Sequence, residues 1–424
     1  MKRIFSLLLC LAVVAAMLFS FASCGKTDDG KTDVPAKGST TLYVYNWGEY
    51  ISDGSEGTLD SNKEFEKYCR EVLGKNVTVN YSLYSSNEDL YAKLASGAVS
   101  YDVIIPSDYM IARLAAEGLL KELDPKDKVE NYKYIDEKFK GLYYDPDEKW
   151  SVPYTYGTVG VIYNTGIVRE DDEHIGSWSL LWDEEYAGNI LQFNNPRDAF
   201  GTAQYYRQTS VNSDDPETWR AALELLKKQK SVVQGYVMDE VFNKMKGGSA
   251  AIAPYYAGDY FTMYADNENL AFYHPEEGTN VFVDAMCIPA STKNYDLAVE
   301  YINFMLSEEI AIANAEYMCY ASPNSLVYEN EEYIEYMTEE IHPDALSILY
   351  DFDMDTMEFF HDLPDGTRDL MNSLWEELKI ESEIGAAVYV ICALIVLSLL
   401  ALLITKIAIK KRRAYYFEKY RKAE

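Results

Sequence analysis

Short segments rich in β-branched and aromatic residues alternate with amphipathic segments through most of this chain, and this alternation constrains the fold more than any other feature. Residues 41–45 have the composition of a strand, and residues 62–73 have the apolar spacing of a helix. A second predicted strand covers residues 76–81, and residues 85–88 have the pattern of a helix N-cap. Repeated alternation of this kind predicts an α/β fold.

The same alternation continues in the second half of the chain. We predict further strands at residues 101–105, 188–193, 250–254 and 281–288, and helices at residues 178–186, 216–228, 297–306 and 370–380. A length of 424 residues is enough for two domains. We interpret residues 150–164 as the crossing into the second one.

Polar and aromatic residues follow the predicted strands. Trp47, Glu49 and Tyr50 come directly after the first strand, at a turn indicated by Asn46 and Gly48. Ligands of open α/β sheets bind at the carboxyl ends of strands. An indole, a phenol and a carboxylate together suit an organic cation. An aromatic core edge beside a solvated glutamate has the same composition, so these residues alone leave both interpretations open.

Acidic residues dominate the central part of the chain. The formal net charge is −31, but residues 1–24 hold two basic and no acidic residues, and residues 385–424 hold eight basic and two acidic ones. Residues 25–384 therefore carry a net charge of −39. Such a field repels nucleic acid and favours small cationic partners, although solubility alone also accounts for much of it.

One carboxylate, Asp284, falls inside a predicted apolar strand. A buried carboxylate is costly unless it is paired. The residue is therefore a candidate for holding a cation, and the alternative is a structural hydrogen-bond hub.

Both ends of the chain have the composition of membrane segments. Residues 1–24 combine Lys2 and Arg3 with an apolar run, which predicts a signal peptide. The small residues before Cys24 resemble a bacterial lipobox, so we expect lipidation of Cys24, with a cleaved signal or an uncleaved anchor as alternatives. Residues 25–40 have the composition of a flexible linker.

The C-terminal segment is apolar for the length of a bilayer. Residues 385–405 lack charged side chains and predict a transmembrane helix. The basic residues of segment 406–424 predict a cytoplasmic tail, which would place the body on the extracytoplasmic side of the cell membrane, in contact with membrane lipid.

Patterns that indicate an enzyme or a metal site are absent from the sequence. No metal-ligating Cys/His spacing, nucleophile motif or phosphate-binding glycine loop occurs. Asp351, Asp353 and Asp355 have the spacing of a calcium loop, but Thr356 stands where such a loop needs glycine. We therefore expect neither an enzyme nor a cofactor, and we predict no disulfide.

Taken in order, several segments resemble the spermidine/putrescine-binding proteins of polyamine ABC transporters. The resemblance spans residues 41–380 and is carried by segments 42–50, 84–88, 91–94, 106–109, 256–259, 282–284, 288–290 and 322–324. It implies two α/β lobes of the periplasmic-binding-protein type, joined by a hinge, that close on a polyamine and dock on the permease subunits of an ABC transporter.

The resemblance also implies how the chain divides between the lobes. Lobe 1 would comprise residues 41–157 with residues 284–325 returning to it. Lobe 2 would comprise residues 158–283 with residues 326–380 returning to it. A C-terminal membrane helix is not usual for this family.

Individual positions match the ligand-binding positions of the family. The resemblance implies these ligand-binding residues: Trp47, Tyr50, Ser107, Tyr109, Asp198, Tyr256, Asp259, Phe282, Asp284 and Tyr320. We add Glu49 as a ligand-binding residue from its position after the first strand. Gly48 replaces a hydroxyl or acidic residue, and Asn195 stands where some members have aspartate. A late polar contact of the family falls near Phe360 or His361. Spermidine, putrescine, a sugar or another small solute stay open as ligands, and a membrane-anchored sensor or enzyme is the other alternative.

Overall fold

The computed structural model describes residues 39–352 and 356–383, together with six isolated positions between residues 394 and 409. The strands are β1 (Thr40–Trp47), β2 (Val77–Tyr84), β3 (Val103–Ile104), β4 (Ser151–Asn164), β5 (Ile190–Phe193), β6 (Val233–Val237), β7 (Ile252–Tyr256), β8 (Leu270–Tyr273), β9 (Thr279–Cys287) and β10 (Met357–Glu358). The helices are α1 (Ser61–Glu71), α2 (Asn87–Ala95), α3 (Asp108–Ala116), α4 (Pro125–Lys128), α5 (Pro196–Tyr206), α6 (Pro216–Gln229), α7 (Glu240–Lys246), α8 (Ala257–Tyr264), α9 (Tyr295–Met305), α10 (Glu308–Met318), α11 (Ser325–Tyr328), α12 (Glu331–Tyr336), α13 (Ala345–Tyr350) and α14 (Asp365–Glu383).

The strands form two groups that share β4 and β9. The order along the whole array is β2-β1-β3-β9-β4-β7-β5-β6, with β8 beside β4 and β10 beside β9. Strands β2, β1 and β3 are parallel in one group, and β7, β5 and β6 are parallel in the other. This arrangement confirms the prediction of a two-lobed α/β fold.

Strand β4 connects the two groups. Its first half pairs with β9, and its second half pairs with β7 and β8. Strand β9 is buried along its whole length, and β4 along nearly all of its length, which agrees with their continuous apolar and small-residue composition. The chain therefore crosses between the lobes inside regular strands, whereas the residue boundaries that we assign to each lobe stay predictions.

Side-chain caps define where the helices begin. Ser86 accepts a hydrogen bond from the backbone N–H of Asp89, and Asn195 accepts one from that of Asp198. Each cap lies directly after a strand. Helix α2 therefore begins where β2 ends, and helix α5 begins where β5 ends.

The helix predicted over residues 178–186 was wrong. The chain forms two separate 3₁₀ turns there, Trp178–Trp182 and Glu184–Tyr186. Ser177 and Asp183 each cap the turn that follows them, and the extended backbone of Asp183 ends the first turn.

Several predictions for the chain ends lie outside the described residues. These are the signal peptide, Cys24, the basic tail apart from residues 406 and 409, the linker apart from residues 39 and 40, and segment 385–405 apart from four isolated positions. Within the part of the chain that the structure describes, no helix has both the length and the apolar composition to cross a bilayer.

Candidate functional site

A cavity lies where the carboxyl ends of the parallel strands of both lobes face each other. Residues that follow β1, β2 and β3 line one side, and residues that follow β5, β6 and β7 line the other. The middle of β9 lies between them. This is the location that open α/β sheets provide for a ligand.

Four carboxylates of the cavity each accept a hydrogen bond from a tyrosine. The donor–acceptor distances are 2.6 Å for Tyr50 and Asp284, 2.8 Å for Tyr256 and Asp198, 3.0 Å for Tyr320 and Asp259, and 3.1 Å for Tyr109 and Glu88. Among residues 39–352 and 356–383, none of these four carboxylates forms an ion pair with a lysine or arginine. A phenol holds a carboxylate in place without cancelling its charge.

Helix N-termini explain how so many acids are tolerated together. Glu88, Asp108, Asp198 and Asp259 lie in the first turns of α2, α3, α5 and α8. The exposed N–H groups of a first helical turn favour a negative charge. The strand-to-helix connections therefore bring the acids to the cavity and partly stabilise them there.

Burial makes these carboxylates harder to ionise. It raises the pKa of Asp259 to about 7 and that of Asp284 to about 6, although hydrogen bonds from Tyr320, Tyr50 and Ser107 oppose the rise. Burial also raises the pKa of Asp198 and of Glu88. One oxygen of Asp284, Oδ1, is buried and has no hydrogen-bond partner among the described residues. The cavity therefore favours a cation that would stabilise the ionised forms.

Arg197 is a cation in the cavity wall, but its guanidinium donates its hydrogen bonds to groups other than the cavity carboxylates. Its Nη1 donates to the carbonyl of Val211 at 2.7 Å, and its Nη2 donates to Asn212 Oδ1 at 2.7 Å and to the carbonyl of His361 at 3.0 Å. The guanidinium lies over the ring of Phe360 at 4.4 Å. Arg197 thus fastens the segment around residue 360 to lobe 2, and it forms no ion pair with Asp198 in the described part of the chain.

Aromatic rings form the rest of the cavity wall. The Trp47 ring is 4.4 Å from that of Tyr84, and its Nε1 donates to the carbonyl of Ile105 at 3.0 Å. The Phe282 ring is 5.5 Å from that of Tyr256. These rings are held by packing, so they present fixed apolar surfaces to a ligand.

Two glycines allow the rings to approach the backbone. A Cβ atom at Gly258 would lie 2.4 Å from the Tyr320 ring, and one at Gly157 would lie 2.8 Å from the Phe282 ring. No heavier residue fits at either position unless the aromatic wall moves.

The structure brings together ten of the eleven residues expected to bind the ligand. The residues that line the cavity are Trp47, Tyr50, Ser107, Tyr109, Asp198, Tyr256, Asp259, Phe282, Asp284 and Tyr320. Glu49 does not line it. Its backbone has a φ of 53°, its side chain is exposed, and its nearest described partner is the Tyr317 hydroxyl at 3.5 Å. That backbone conformation directs the side chain away from the cavity.

Three further acids of the cavity were not predicted. Glu88, Asp108 and Asp239 line it as well. Glu88 lies within segment 85–88, whose residue pattern was already explained by helix capping. Asp108 lies between Ser107 and Tyr109, which were both predicted to bind the ligand. For Glu88 and Asp108 the position after a predicted strand was the available signal, whereas Asp239 follows a strand, β6, that was not predicted. Phe360 also lines the cavity, where the resemblance implied a polar contact near Phe360 or His361.

One group outside the cavity has the composition of a metal site. Asp172, His174 and Asp183 can offer ligand atoms that lie within 4.8 Å of one another. Asp172 already accepts hydrogen bonds from the Tyr186 hydroxyl and the His174 backbone, and Asp183 caps a 3₁₀ turn. These bonds account for the arrangement without an ion.

Comparisons with known proteins agree on one family. The pattern of bacterial extracellular solute-binding proteins matches residues 63–339. The spermidine/putrescine-binding periplasmic protein of Salmonella typhimurium is 32% identical over 298 residues, which cover 70% of this chain and 81% of that protein. A solved structure described as a putative spermidine/putrescine ABC transporter from Listeria monocytogenes is 32% identical to this chain and superposes with a TM-score of 0.71. The match covers 80% of this chain and 99% of that structure. The substrate-binding protein of a spermidine/putrescine ABC transporter from Streptococcus pneumoniae is also 32% identical, with a TM-score of 0.62 and the same coverage.

Proposed function

This chain belongs to the family of bacterial extracellular solute-binding proteins, and we propose that it captures spermidine or putrescine for an ABC transporter. It is a binding protein, not an enzyme. The choice of ligand rests on the four cavity carboxylates that accept hydrogen bonds from tyrosines. In the described part of the chain, none of these four carboxylates forms an ion pair with a lysine or arginine. A polyamine supplies the missing positive charges.

The ammonium groups would bind the carboxylates. Asp284 is the central candidate, because its Oδ1 is buried and lacks a partner among the described residues. Asp198 and Asp259 lie in lobe 2 and would hold further ammonium groups by charge-assisted hydrogen bonds. Closure of the lobes would then place the ligand between acids that belong to different elements.

The aromatic rings would pack against the methylene chain. Trp47, Tyr256 and Phe282 offer ring faces on both sides of the cavity. Such faces gain from contact with methylene groups and from the nearby positive charge. Ser107, Tyr50, Tyr109 and Tyr320 would orient the acids rather than carry charge themselves.

The composition of the two chain ends supports a membrane location. We propose that Cys24 is lipidated and that residues 385–405 form a transmembrane helix, which would hold the body outside the cell membrane beside the permease subunits. Mass spectrometry of the mature protein tests the lipid, because an unmodified Cys24 would contradict it. Protease accessibility of the C-terminal tail in intact cells tests the orientation.

A calorimetric panel tests the ligand. Spermidine and putrescine should bind, with an affinity that falls as ionic strength rises, whereas sugars and neutral amino acids should not. Binding of a sugar that is indifferent to salt would instead support a neutral-solute protein. Genes for a permease and an ATPase beside this one would support transport over a sensor role.

A further inference from the structure

Asp108 is a buried carboxyl group of the cavity wall to which the proposed ligand contacts assign no role. It is 1% exposed and begins helix α3. Its Oδ1 accepts a hydrogen bond from its neighbour Tyr109 N at 2.6 Å, and its Oδ2 accepts one from Val283 N at 3.1 Å. Asp108 therefore reaches across to strand β9, to the residue just before Asp284.

The backbone brings the two acids onto adjoining segments of chain. Ser107 and Asp284 are partners in an isolated β-bridge, so residues 107–108 lie against residues 283–284. Both carboxyl groups are almost fully buried, and both face the same cavity. Two negative charges in such a location repel each other strongly.

Phenols lie next to the pair, and another acid of the cavity, Asp259, lies close to Tyr50 and adds no positive charge. The titratable groups that face it are phenols: Tyr50 and Tyr84 lie toward Asp284, and Tyr143 and Tyr144 lie toward Asp108. Arg197 is bonded to Val211, Asn212 and His361. In the described part of the chain, neither Asp108 nor Asp284 forms an ion pair with a lysine or arginine. Without a bound cation, a proton is the remaining way to relieve the repulsion.

The acid strengths agree with this geometry. Burial, together with the charge of Asp284, raises the pKa of Asp108 to about 8, despite the two backbone hydrogen bonds that oppose the rise. Burial raises the pKa of Asp284 to about 6.

We propose that Asp108 and Asp284 form a carboxyl pair that holds a proton while the cavity is empty and releases it when an ammonium group binds. This inference rests on the proposed function, because it needs a cationic ligand. The O–H bond of one carboxyl breaks, its proton passes to the solvent buffer, and the ammonium group keeps its own protons. Ligand capture is then coupled to pH, and Asp108 sets the pH range.

Calorimetry in two buffers measures the released proton. Spermidine is titrated into the protein at pH 7.4 in phosphate and in Tris, whose ionisation heats differ, and the difference in observed heat gives the number of protons released. We expect a release approaching one proton, and a dissociation constant that falls by up to about tenfold per pH unit between pH 6 and pH 8. Binding with equal heats in both buffers overturns the pair while leaving the proposed function intact. Absence of spermidine binding between pH 6 and pH 9 overturns both.

Variants assign the proton to Asp108. Asp108→Asn and Asp108→Ser retain an acceptor for the Val283 N–H, and either one that folds should release markedly less proton and bind with a flatter pH profile. Asp102→Asn is the matched control, because Asp102 is also buried in lobe 1 and accepts from the Tyr43 N–H at 2.9 Å, but it lies outside the cavity. An unchanged proton release in the Asp108 variants overturns the assignment, as does a loss of release in the control.

Discussion

Acidic residues of the surface and of the cavity have different partners. On the surface, Glu64 pairs with Lys67 at 2.8 Å, and Glu377 pairs with Lys227 at 2.7 Å. In the cavity, Asp284 and Asp259 accept from the hydroxyls of Tyr50 and Tyr320. A surface pair is neutral as a unit and is screened by salt, so it contributes little. A phenol fixes the geometry of an acid while the negative charge stays available.

This difference shows why net charge alone does not identify a cation site. A net charge of −31 describes both kinds of acid equally. The useful distinction is whether a carboxylate is buried and held by neutral donors, because such a group gains most from a cation that arrives later. Four predictions test the distinction.

Replacing the central acid of the cavity should have the largest effect. Asp284→Asn should weaken spermidine binding by more than about 100-fold, roughly 3 kcal/mol, since a buried ammonium group would lose its charged partner. Isothermal titration calorimetry measures the change. Glu64→Gln removes a surface acid and should leave the affinity unchanged. Equal losses of affinity in the two variants would contradict the distinction between cavity acids and surface acids.

The stability of the ligand-free protein should fall between pH 7 and pH 8 and level off above pH 8. Asp259 and Asp108 have folded pKa values of about 7 and about 8, above the usual value for aspartate, so they bind protons more tightly in the folded state. The stability that this contributes at low pH is lost as pH rises through those values. His274, whose pKa burial lowers to about 4, is neutral in both states above pH 7 and adds little.

Thermal unfolding measures this dependence. We expect the melting temperature of the ligand-free protein to drop by several degrees over that range, and saturating spermidine to reverse the drop. A melting temperature that rises with pH would mean that the cavity acids are already ionised and stabilised.

Removing a phenol should have a smaller effect than removing its acid. Tyr256→Phe keeps the ring but loses the hydrogen bond to Asp198, and we expect binding about tenfold weaker, near 1.4 kcal/mol. Calorimetry again measures it. Tyr273→Phe is the matched control, because its hydroxyl donates to the Ser177 carbonyl outside the cavity. Full affinity in Tyr256→Phe would show that the phenol does not position the acid.

Breaking a surface pair should have the smallest effect. Glu377→Gln removes the partner of Lys227 between α14 and α6, and the free energy of unfolding should decrease by less than about 1 kcal/mol. Urea denaturation measures this, and 0.5 M NaCl should remove most of the difference. A loss above about 2 kcal/mol would show that this pair is more than a screened surface contact.

Much of the fold and the site could be predicted because strand ends are local features. The alternation of patterns placed Trp47, Ser107, Asp198 and Tyr256 after strands; in the structure Trp47 and Tyr256 are the last residues of β1 and β7, and Ser107 and Asp198 follow β3 and β5. Segment 178–186 was mispredicted because apolar spacing alone does not reveal a cap such as Asp183 inside the segment.

The differences between the predicted and the observed site residues come from tertiary structure. Glu88 and Asp108 are explained locally as first-turn acids, and nothing local shows that their helices begin at a shared cavity. Glu49 stands in the right segment, but its left-handed backbone directs it elsewhere. The direction of the Glu49 side chain depends on its backbone φ angle, and the residue pattern does not reveal that angle.

The sequence by itself determined the α/β alternation, the family and the excess of acids, because these depend on residue type and on short spacings. The tertiary structure alone decided which acids are buried together, which phenol each accepts from, and that Asp108 lies against Asp284. The relations of Asp284 to Tyr50 and to Asp108 join residues more than 100 positions apart, so they exist only once β9 passes between the two lobes. The other three phenol–acid bonds join residues between 21 and 61 positions apart, but they too link different elements that only the packed fold brings together.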